Sequence, residues 1–281
     1  MNAHHRSLTV LLALIAPATA VAQDGGAATA AGVAVASAGR DMDTQSSSRL
    51  SASVGITDWR GDFGGPTTSA ITALAPGVRF RDGNLRLSVL VPWMRIRSDS
   101  VIFAGVGGTP LAVSPTAAPT RRTRDGFGDA TLGASYLLPS SSFDVELIGR
   151  IKVPLSSGAR SVSTGKVDYY GGVEVSKTIG GFTPAVQVTY RVFGDMAGWD
   201  LRNGFATSVS GTFLLGRRVT ALVSYDYAEA ATRFIGDSHE LAVGLSTPIA
   251  DNRLRLTGFA SAGLSRGAPD RSIGASVTFN F

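Results

Sequence analysis

Apolar and polar residues alternate at every second position along about twelve segments of residues 50–281. In the segment 143–153, Val145 and Leu147 lie on one face of an extended chain and Glu146 lies on the opposite face. A helix would need apolar spacings of three and four, so the pattern predicts an all-β chain. The predicted strands are 50–57, 71–81, 84–97, 127–138, 143–153, 166–178, 182–193, 203–215, 217–228, 238–249, 252–265 and 272–281.

The lengths of these segments and of their connections favour a membrane-spanning barrel. Many segments have about ten residues, the length that a tilted strand needs to cross a bilayer. Tight turns such as 82–84 alternate with longer polar stretches, of which 98–126 is the longest. Bacterial outer-membrane barrels have short periplasmic turns, long outer loops and an even number of strands. We therefore expect an antiparallel transmembrane β-barrel of about 12 strands in residues 50–281, with both termini on the periplasmic side.

A soluble lipocalin-like barrel or a β-sandwich would produce the same alternation of apolar and polar residues. Strands of soluble proteins are typically five or six residues long, so strand length and loop asymmetry favour the membrane barrel. Aromatic residues support it as well, because they concentrate at membrane interfaces. Those at the predicted periplasmic ends are Phe182, Phe213, Phe279 and Phe281, and those at the predicted outer ends are Trp59, Trp93, Phe127, Phe193 and Trp199.

Residues 1–22 have the three-part pattern of a secretory signal peptide. Arg6 precedes an apolar run that is too short to span a bilayer, and small residues lead to an expected cleavage site after Ala22. This pattern and the barrel together predict export to the outer membrane of a Gram-negative bacterium. Residues 23–49 are small, polar and aperiodic, which predicts a flexible N-terminal arm or a plug in the barrel lumen.

The residue content excludes several classes of function. The chain has no cysteine, which rules out disulfide scaffolds, cysteine zinc sites and thiol catalysis. A net charge of +5 is too small to indicate nucleic-acid binding. After cleavage His239 is the only histidine, and its neighbour Ser238 points to the opposite face of the strand, so the two cannot form a nucleophile–base pair. We therefore expect no enzymatic activity, no cofactor and no bound metal ion.

Charged residues share the polar faces of the predicted strands, which line the lumen if the apolar faces meet lipid. A lysine or arginine on the lipid face near the midplane costs about 2–4 kcal/mol, which explains this segregation. The lining charges either select solutes or form an internal ion-pair network that stiffens a narrow barrel. Toward the outer half we expect Asp129, Arg150, Lys152, Asp168, Glu174, Arg191, Asp226 and Glu240. Toward the periplasmic half we expect Arg79, Arg81, Arg86, Glu146, Arg253 and Arg255.

Short motifs carry a resemblance to a known family. The final strand ends on Phe281, which looks like the assembly signal of outer-membrane proteins, and short motifs occur at 125–136 (DGFGDATLGASY), 224–228 (SYDYA) and 263–270 (GLSRGAPD). With these motifs the chain resembles the meta-pathway phenol-degradation family of outer-membrane transporters over most of residues 50–281. The resemblance implies passage of aromatic compounds, and it carries no binding residues over to this chain.

The resulting prediction is a monomeric outer-membrane channel for passive uptake of small molecules, and the resemblance points to aromatic or hydrophobic solutes. We expect selectivity to come from the width and charges of the lumen and from the 98–126 loop folding inward. An anion or sugar-acid porin is one alternative, favoured if the arginines form a continuous track. A plugged structural or adhesive barrel is another. The expected partners are outer-membrane lipid, the barrel assembly machinery and a small-molecule solute.

Overall fold

The computed structural model describes residues 49–115, 122–138, 142–157, 161–216, 218–249 and 253–281. Apart from Arg49, the predicted signal peptide (1–22) and the predicted arm or plug (23–49) lie outside the described residues. Among the described residues, no helix is long and apolar enough to cross a bilayer. The strands are β1 (Leu50–Gly61), β2 (Ser69–Asp82), β3 (Leu85–Leu90), β4 (Trp93–Ser98), β5 (Val101–Ala104), β6 (Pro110–Ser114), β7 (Arg122–Phe127), β8 (Ala130–Leu138), β9 (Asp144–Val153), β10 (Asp168–Ser176), β11 (Phe182–Val192), β12 (Gly204–Leu215), β13 (Val219–Ala228), β14 (Ser238–Ile249), β15 (Leu254–Gly263) and β16 (Arg271–Asn280).

One antiparallel sheet closes on itself to form a barrel. β1 pairs with β16 on one side and with β2 on the other, so the sheet has no free edge. β2 pairs with both β3 and β4, which are successive parts of one wall strand. β3 in turn pairs with β8 and β4 pairs with β7, so β7 and β8 form the next wall strand. The wall therefore has 12 strands, which confirms the predicted all-β barrel and its strand number.

The two interrupted wall strands break next to each other. The sequence pattern predicts continuous strands at 84–97 and 127–138, and this is wrong because the first breaks at Pro92 and the second begins earlier and breaks at Gly128. Proline has no N–H to donate to a ladder. The Gly128 N–H donates to the Pro92 carbonyl at 2.8 Å. A Cβ at Gly128 would lie only 3.1 Å from the Cβ of Ala104, so glycine lets a second segment pack inside the wall.

The alternation sorts side chains between the outer surface and the lumen. On β9, Leu147 and Ile151 are exposed on the outside, whereas Glu146 and Lys152 are buried inside. Most other wall strands show the same split, whereas β1, β2 and β4 carry the apolar side chains Trp59, Ile71 and Met94 on the inner side near their outer ends. An outer surface of this kind is the one that a barrel presents to lipid.

Three of the aromatic residues predicted at the outer ends lie on the inner side of the barrel instead. Trp59 and Phe193 are buried in the lumen, and Trp199 packs against the same interior cluster as Phe193. Trp93 and Phe127 do lie on the outside, where Phe127 is 60% exposed. The prediction failed for Trp59, Phe193 and Trp199 because the outer half of the lumen is itself lined by apolar side chains.

Candidate functional site

A hairpin of the long outer loop occupies the outer half of the lumen. β5 and β6 pair with each other and with no wall strand, and a 3₁₀ turn at Val106–Gly108 joins them. The turn contacts β2, β8 and β9 from the inside. The described part of the 98–126 loop is therefore ordered and folded inward, as the sequence analysis expects, and its last residues belong to the wall strand β7.

Two further outer loops and the wall hold this hairpin in place. The Ala104 N–H donates to the Val162 carbonyl at 2.7 Å. The hydroxyl of Thr232 donates to the Val113 carbonyl at 2.6 Å, and this contact is buried. Arg124 on β7 donates to carbonyls both of the hairpin and of the loop that contains Val162. These bonds satisfy backbone groups that would otherwise be buried without a partner.

The tip of the hairpin fits closely against the wall. The Gly107 N–H donates to the Thr131 hydroxyl at 2.8 Å. Gly108 has a φ of +77°, and a Cβ there would lie 2.7 Å from the Cβ of Pro92. Glycine is therefore required at the tip both for its backbone conformation and for its close approach to the broken wall strand.

Apolar side chains close the lumen on both sides of the hairpin. One interior cluster joins Ile102 and Ala104 of β5 to Trp59 of β1, Ile71 of β2 and Met94 of β4, among others. A second cluster joins the hairpin residues Val106, Leu111 and Val113 to Tyr170 of β10 and to Phe193. Such packing excludes water from each cluster, so the described residues fill much of the outer half of the lumen with apolar side chains.

A buried three-residue ion-pair cluster lies near the outer ends of β9 and β10. Lys152 Nζ is 2.8 Å from a carboxylate oxygen of Asp129 and 2.8 Å from one of Asp168, and all three side chains are essentially inaccessible to solvent. Lys152 also donates to the Thr164 hydroxyl at 2.7 Å. The second Asp168 oxygen accepts the Gly194 N–H at 2.9 Å. The cluster thus ties three neighbouring wall strands to two outer loops.

A second ion pair stands nearer the periplasmic end. Arg86 Nη1 lies 2.8 Å from both oxygens of Glu146, and Glu146 is fully buried. The strand register places Glu174 directly opposite Glu146. The sequence analysis placed Glu174 in the outer half, and this is wrong, because β10 runs from the outer end toward the periplasmic end and Glu174 lies near its last residue.

Two buried carboxylates lie across the lumen from Arg86. Asp226 and Glu240 are buried partners on β13 and β14. Each accepts a hydrogen bond from a serine on the same inner surface. Arg86 lies on β3, and β13 is six strands away from β3 around the barrel of 12 wall strands. Asp226 on β13 therefore lies on the opposite side of the barrel from Arg86.

A cavity lies beneath the hairpin tip. It has two connected lobes of about 100 and 140 Å³ that share Ser53, Arg79, Leu90, Gly107 and Thr109. One lobe continues toward Arg150 and the other toward Phe259 and Trp59. The lining therefore combines guanidinium groups with apolar and small side chains, which suits a small solute of mixed character.

The structure places thirteen of the fourteen predicted lining residues on the inner side of wall strands. Arg253 is the exception, because it is exposed in the turn before β15. The residues on the inner side are Arg79, Arg81, Arg86, Asp129, Glu146, Arg150, Lys152, Asp168, Glu174, Arg191, Asp226, Glu240 and Arg255, with Asp129 one residue before β8. The apolar hairpin residues are not among the predicted lining residues, although the apolar run Val101–Ala104 inside an otherwise polar loop is a signal that could have found them.

The described residues contain no group of three or more histidine, cysteine, aspartate or glutamate side chains arranged to hold a metal ion. No local catalytic pair involves His239, whose Nδ1 lies 2.6 Å from the hydroxyl of Tyr225 on the outer surface of the barrel.

Comparisons with known proteins support the barrel fold. No protein-family model matches the sequence, and no curated protein is significantly similar to it, so the family resemblance stays a prediction. Among solved structures, the COG4313 outer membrane channel from Pseudomonas putida F1 aligns with a TM-score of 0.62 and 11% identity over 83% of this chain and 96% of that one. The KdgM porin, solved with disordered oligogalacturonate, aligns with a TM-score of 0.51 and 12% identity over 82% and 99%. At these identities the similarity establishes a shared fold, that of outer-membrane barrels.

Proposed function

We propose that this protein is an outer-membrane channel for passive uptake of small hydrophobic or aromatic molecules. The observation that carries the proposal is the inward-folded hairpin, whose apolar residues fill the outer half of the lumen above a cavity of mixed lining. A wide porin for hydrophilic solutes needs an open aqueous lumen. Here a solute must pass apolar surfaces, which favours a solute that loses little hydration on the way.

The size of the cavity supports a small solute. An apolar protein cavity of about 150 Å³ holds one benzene ring. The lobes of about 100 and 140 Å³ beneath the tip fall in the same range. Leu90 and Phe259 would contact an apolar ring, and Arg79 would contact a polar substituent. The lipid-facing outer surface and the signal-peptide pattern support placement in the outer membrane.

Movement of the hairpin is the step that the proposal requires, and it is testable by a reversible crosslink. Because the chain has no cysteine, a disulfide can be introduced without competing thiols. Ala104 and Val162 are suitable positions, since the Ala104 N–H and the Val162 carbonyl lie 2.7 Å apart. The double variant Ala104→Cys, Val162→Cys would be expressed in cells whose outer membrane otherwise excludes the fluorescent hydrophobe N-phenyl-naphthylamine.

We expect the oxidised variant to admit the dye at the rate of cells without the protein, and the reduced variant to admit it at the wild-type rate. The single cysteine variants are the matched controls and should not respond to oxidation. Equal dye entry in the oxidised and reduced states would contradict passage past the hairpin. It would instead favour a structural barrel that transports nothing.

An anion or sugar-acid porin is the second candidate, and one observation favours it. Arg79 lines both lobes of the cavity and Arg150 lines one of them, so guanidinium groups follow the path below the tip. Single-channel recordings in planar bilayers under a salt gradient test this candidate. A strong anion preference that falls in Arg79→Gln, Arg150→Gln would support it. Cation preference in the wild type would exclude it.

A further inference from the structure

Three exposed arginines stand on the outer surface of the barrel near its outer rim. Arg60 is the penultimate residue of β1, Arg97 is the penultimate residue of β4 and Arg271 is the first residue of β16. They face outward, because their neighbours Trp59, Ile96 and Ser272 are buried on the inner side. We call these three residues the arginine row.

The strand register places the arginine row at one height. Arg60 is the direct partner of Arg271 across β1 and β16, so their Cα atoms lie about 5 Å apart. Arg60 and Arg97 are both partners of Ala70 on β2, which separates them by two strand spacings, or about 10 Å. Arg95 lies two residues below Arg97 on the same face, with its guanidinium 5.4 Å from the Trp93 ring centre.

The height of the arginine row corresponds to the edge of the apolar band. On β2, Phe80 faces outward at the periplasmic end, and Ala70 lies ten residues away at the level of the row. At about 3.4 Å per residue and a strand tilt of about 40°, this distance is about 26 Å along the membrane normal, and the apolar band of such barrels is about 25 Å tall. Directly below the row the outward residues Asp58, Thr72 and Arg95 are still polar, and at the next outward level Ile56, Leu74 and Trp93 are apolar. The arginine row therefore lies at the headgroup level of the outer leaflet.

The rest of the outer rim has a different composition. On β10 to β13 the outward positions near the outer end are occupied by Tyr169, Tyr190, Phe205, Tyr225 and Tyr227. Aromatic side chains of this kind are the usual residues of a membrane interface. The arginines are confined to the arc from β16 to β4, so this arc meets the headgroups through charge rather than through aromatic rings.

The nearby carboxylates neutralise the arginine row only in part. Asp58 lies 2.8 Å from the Arg60 guanidinium, and Asp125 is the strand partner of Arg95. Arg97 and Arg271 form no ion pair with a carboxylate of the described residues. Like charges placed directly opposite each other on a sheet repel, as Arg60 and Arg271 do, and an anion bound between them removes that repulsion.

We propose that the arginine row binds the phosphate groups of a phosphorylated glycolipid, lipid A, in the outer leaflet. Arginine donates two parallel hydrogen bonds to a phosphate, and the row presents several guanidiniums at the height where these phosphates lie. The acyl chains of the lipid would lie against the apolar residues below. The inference rests on the outer-membrane placement of the proposed function, and it concerns the outer surface of the barrel rather than the conduit.

Binding of purified lipid A to the refolded mature protein in detergent tests the proposal by native mass spectrometry. The variant Arg60→Gln, Arg97→Gln, Arg271→Gln removes the row, and Arg218→Gln, Arg233→Gln, Arg266→Gln is the matched control, since it removes three exposed arginines elsewhere. We expect the Kd for lipid A to rise at least tenfold in the first variant and to stay within twofold in the control. Dephosphorylated lipid A should bind the wild type at least tenfold more weakly. This comparison uses only the wild-type protein, so it does not depend on the folding of a variant.

Unchanged lipid A affinity in the row variant, or equal affinity for the dephosphorylated lipid, would overturn the proposal. Loss of a wild-type dimer in the row variant would also overturn it, because the row would then be an interface between copies. Displacement of lipid A by millimolar inorganic phosphate alone would show a site for free phosphate instead. Conductance in bilayers without lipid A should be the same in the row variant and the wild type. A result that overturns lipid A binding can therefore be distinguished from one that overturns the channel function.

Discussion

Lys152 offers the sharpest test of how the lumen is stabilised. Its Nζ is the shared partner of Asp129 and Asp168 at 2.8 Å each, with no exposure of any of the three side chains. Lys152→Met keeps the length of the aliphatic chain and removes the charge. Two buried carboxylates are then left facing each other without a cation.

The geometry sets the size of the effect. Two contacts of 2.8 Å to one nitrogen place the carboxylate oxygens within about 5.6 Å of each other. At an effective dielectric constant of about 20, two unit charges at that distance repel by about 3 kcal/mol. Removal of one partner from a buried ion pair typically costs about 3–5 kcal/mol. We therefore expect Lys152→Met to lower the free energy of unfolding by about 3–5 kcal/mol.

Urea titration of the protein refolded in lipid vesicles, followed by tryptophan fluorescence, measures this change. The exposed Lys166 is the matched control, and Lys166→Met should change the free energy of unfolding by less than 0.5 kcal/mol, about the range of ordinary surface substitutions. The triple variant Lys152→Met, Asp129→Asn, Asp168→Asn should recover most of the loss, because no uncompensated charge is left. A loss below about 1 kcal/mol in Lys152→Met, or no recovery in the triple variant, would refute the reasoning.

Three further predictions concern the ion pair and the hairpin. Glu146→Gln leaves Arg86 facing a neutral amide and should cost about 2–3 kcal/mol in the same urea titration, since hydrogen bonds to charged groups are worth about 1.5–3 kcal/mol. Gly108→Val forces a β-branched residue to a φ of +77° against the wall, and we expect longer open times in single-channel recordings. Thr232→Val leaves the Val113 carbonyl unpaired, so hydrogen exchange in residues 101–114 should accelerate about fivefold or more, as a local loss of about 1–3 kcal/mol requires. Unchanged open times or unchanged exchange would show that the hairpin is held by its apolar contacts alone.

The barrel itself follows from local patterns in the sequence. A strand presents successive side chains to opposite faces, so the alternation at Glu146, Leu147 and Lys152 already states which side each residue occupies. Short and long connections then indicate an up-and-down order. The breaks at Pro92 and Gly128 were not predicted, because the alternation continues through Pro92 and only the contact with the hairpin explains Gly128, where the outward side changes from odd to even positions.

The candidate site was predictable only in part. The two-residue alternation along the strand places Glu174 on the inner face. The height of Glu174 in the barrel depends on the direction of β10 and on the register between β10 and β9. The pairing of Lys152 with Asp129 and Asp168 depends on the same registers. Sequence spacing contains no information on these contacts, since each one joins residues of different strands.

By itself, therefore, the sequence determined the all-β class, the number of wall strands and the inner or outer side of each lining charge, because these follow from a period of two residues. Only the tertiary structure decided that Val101–Ser114 folds into the lumen, that Trp59 and Phe193 lie inside, and that three arginines share one height on the outer surface. The physical reason is that closure of the barrel and strand register bring together residues that are far apart along the chain.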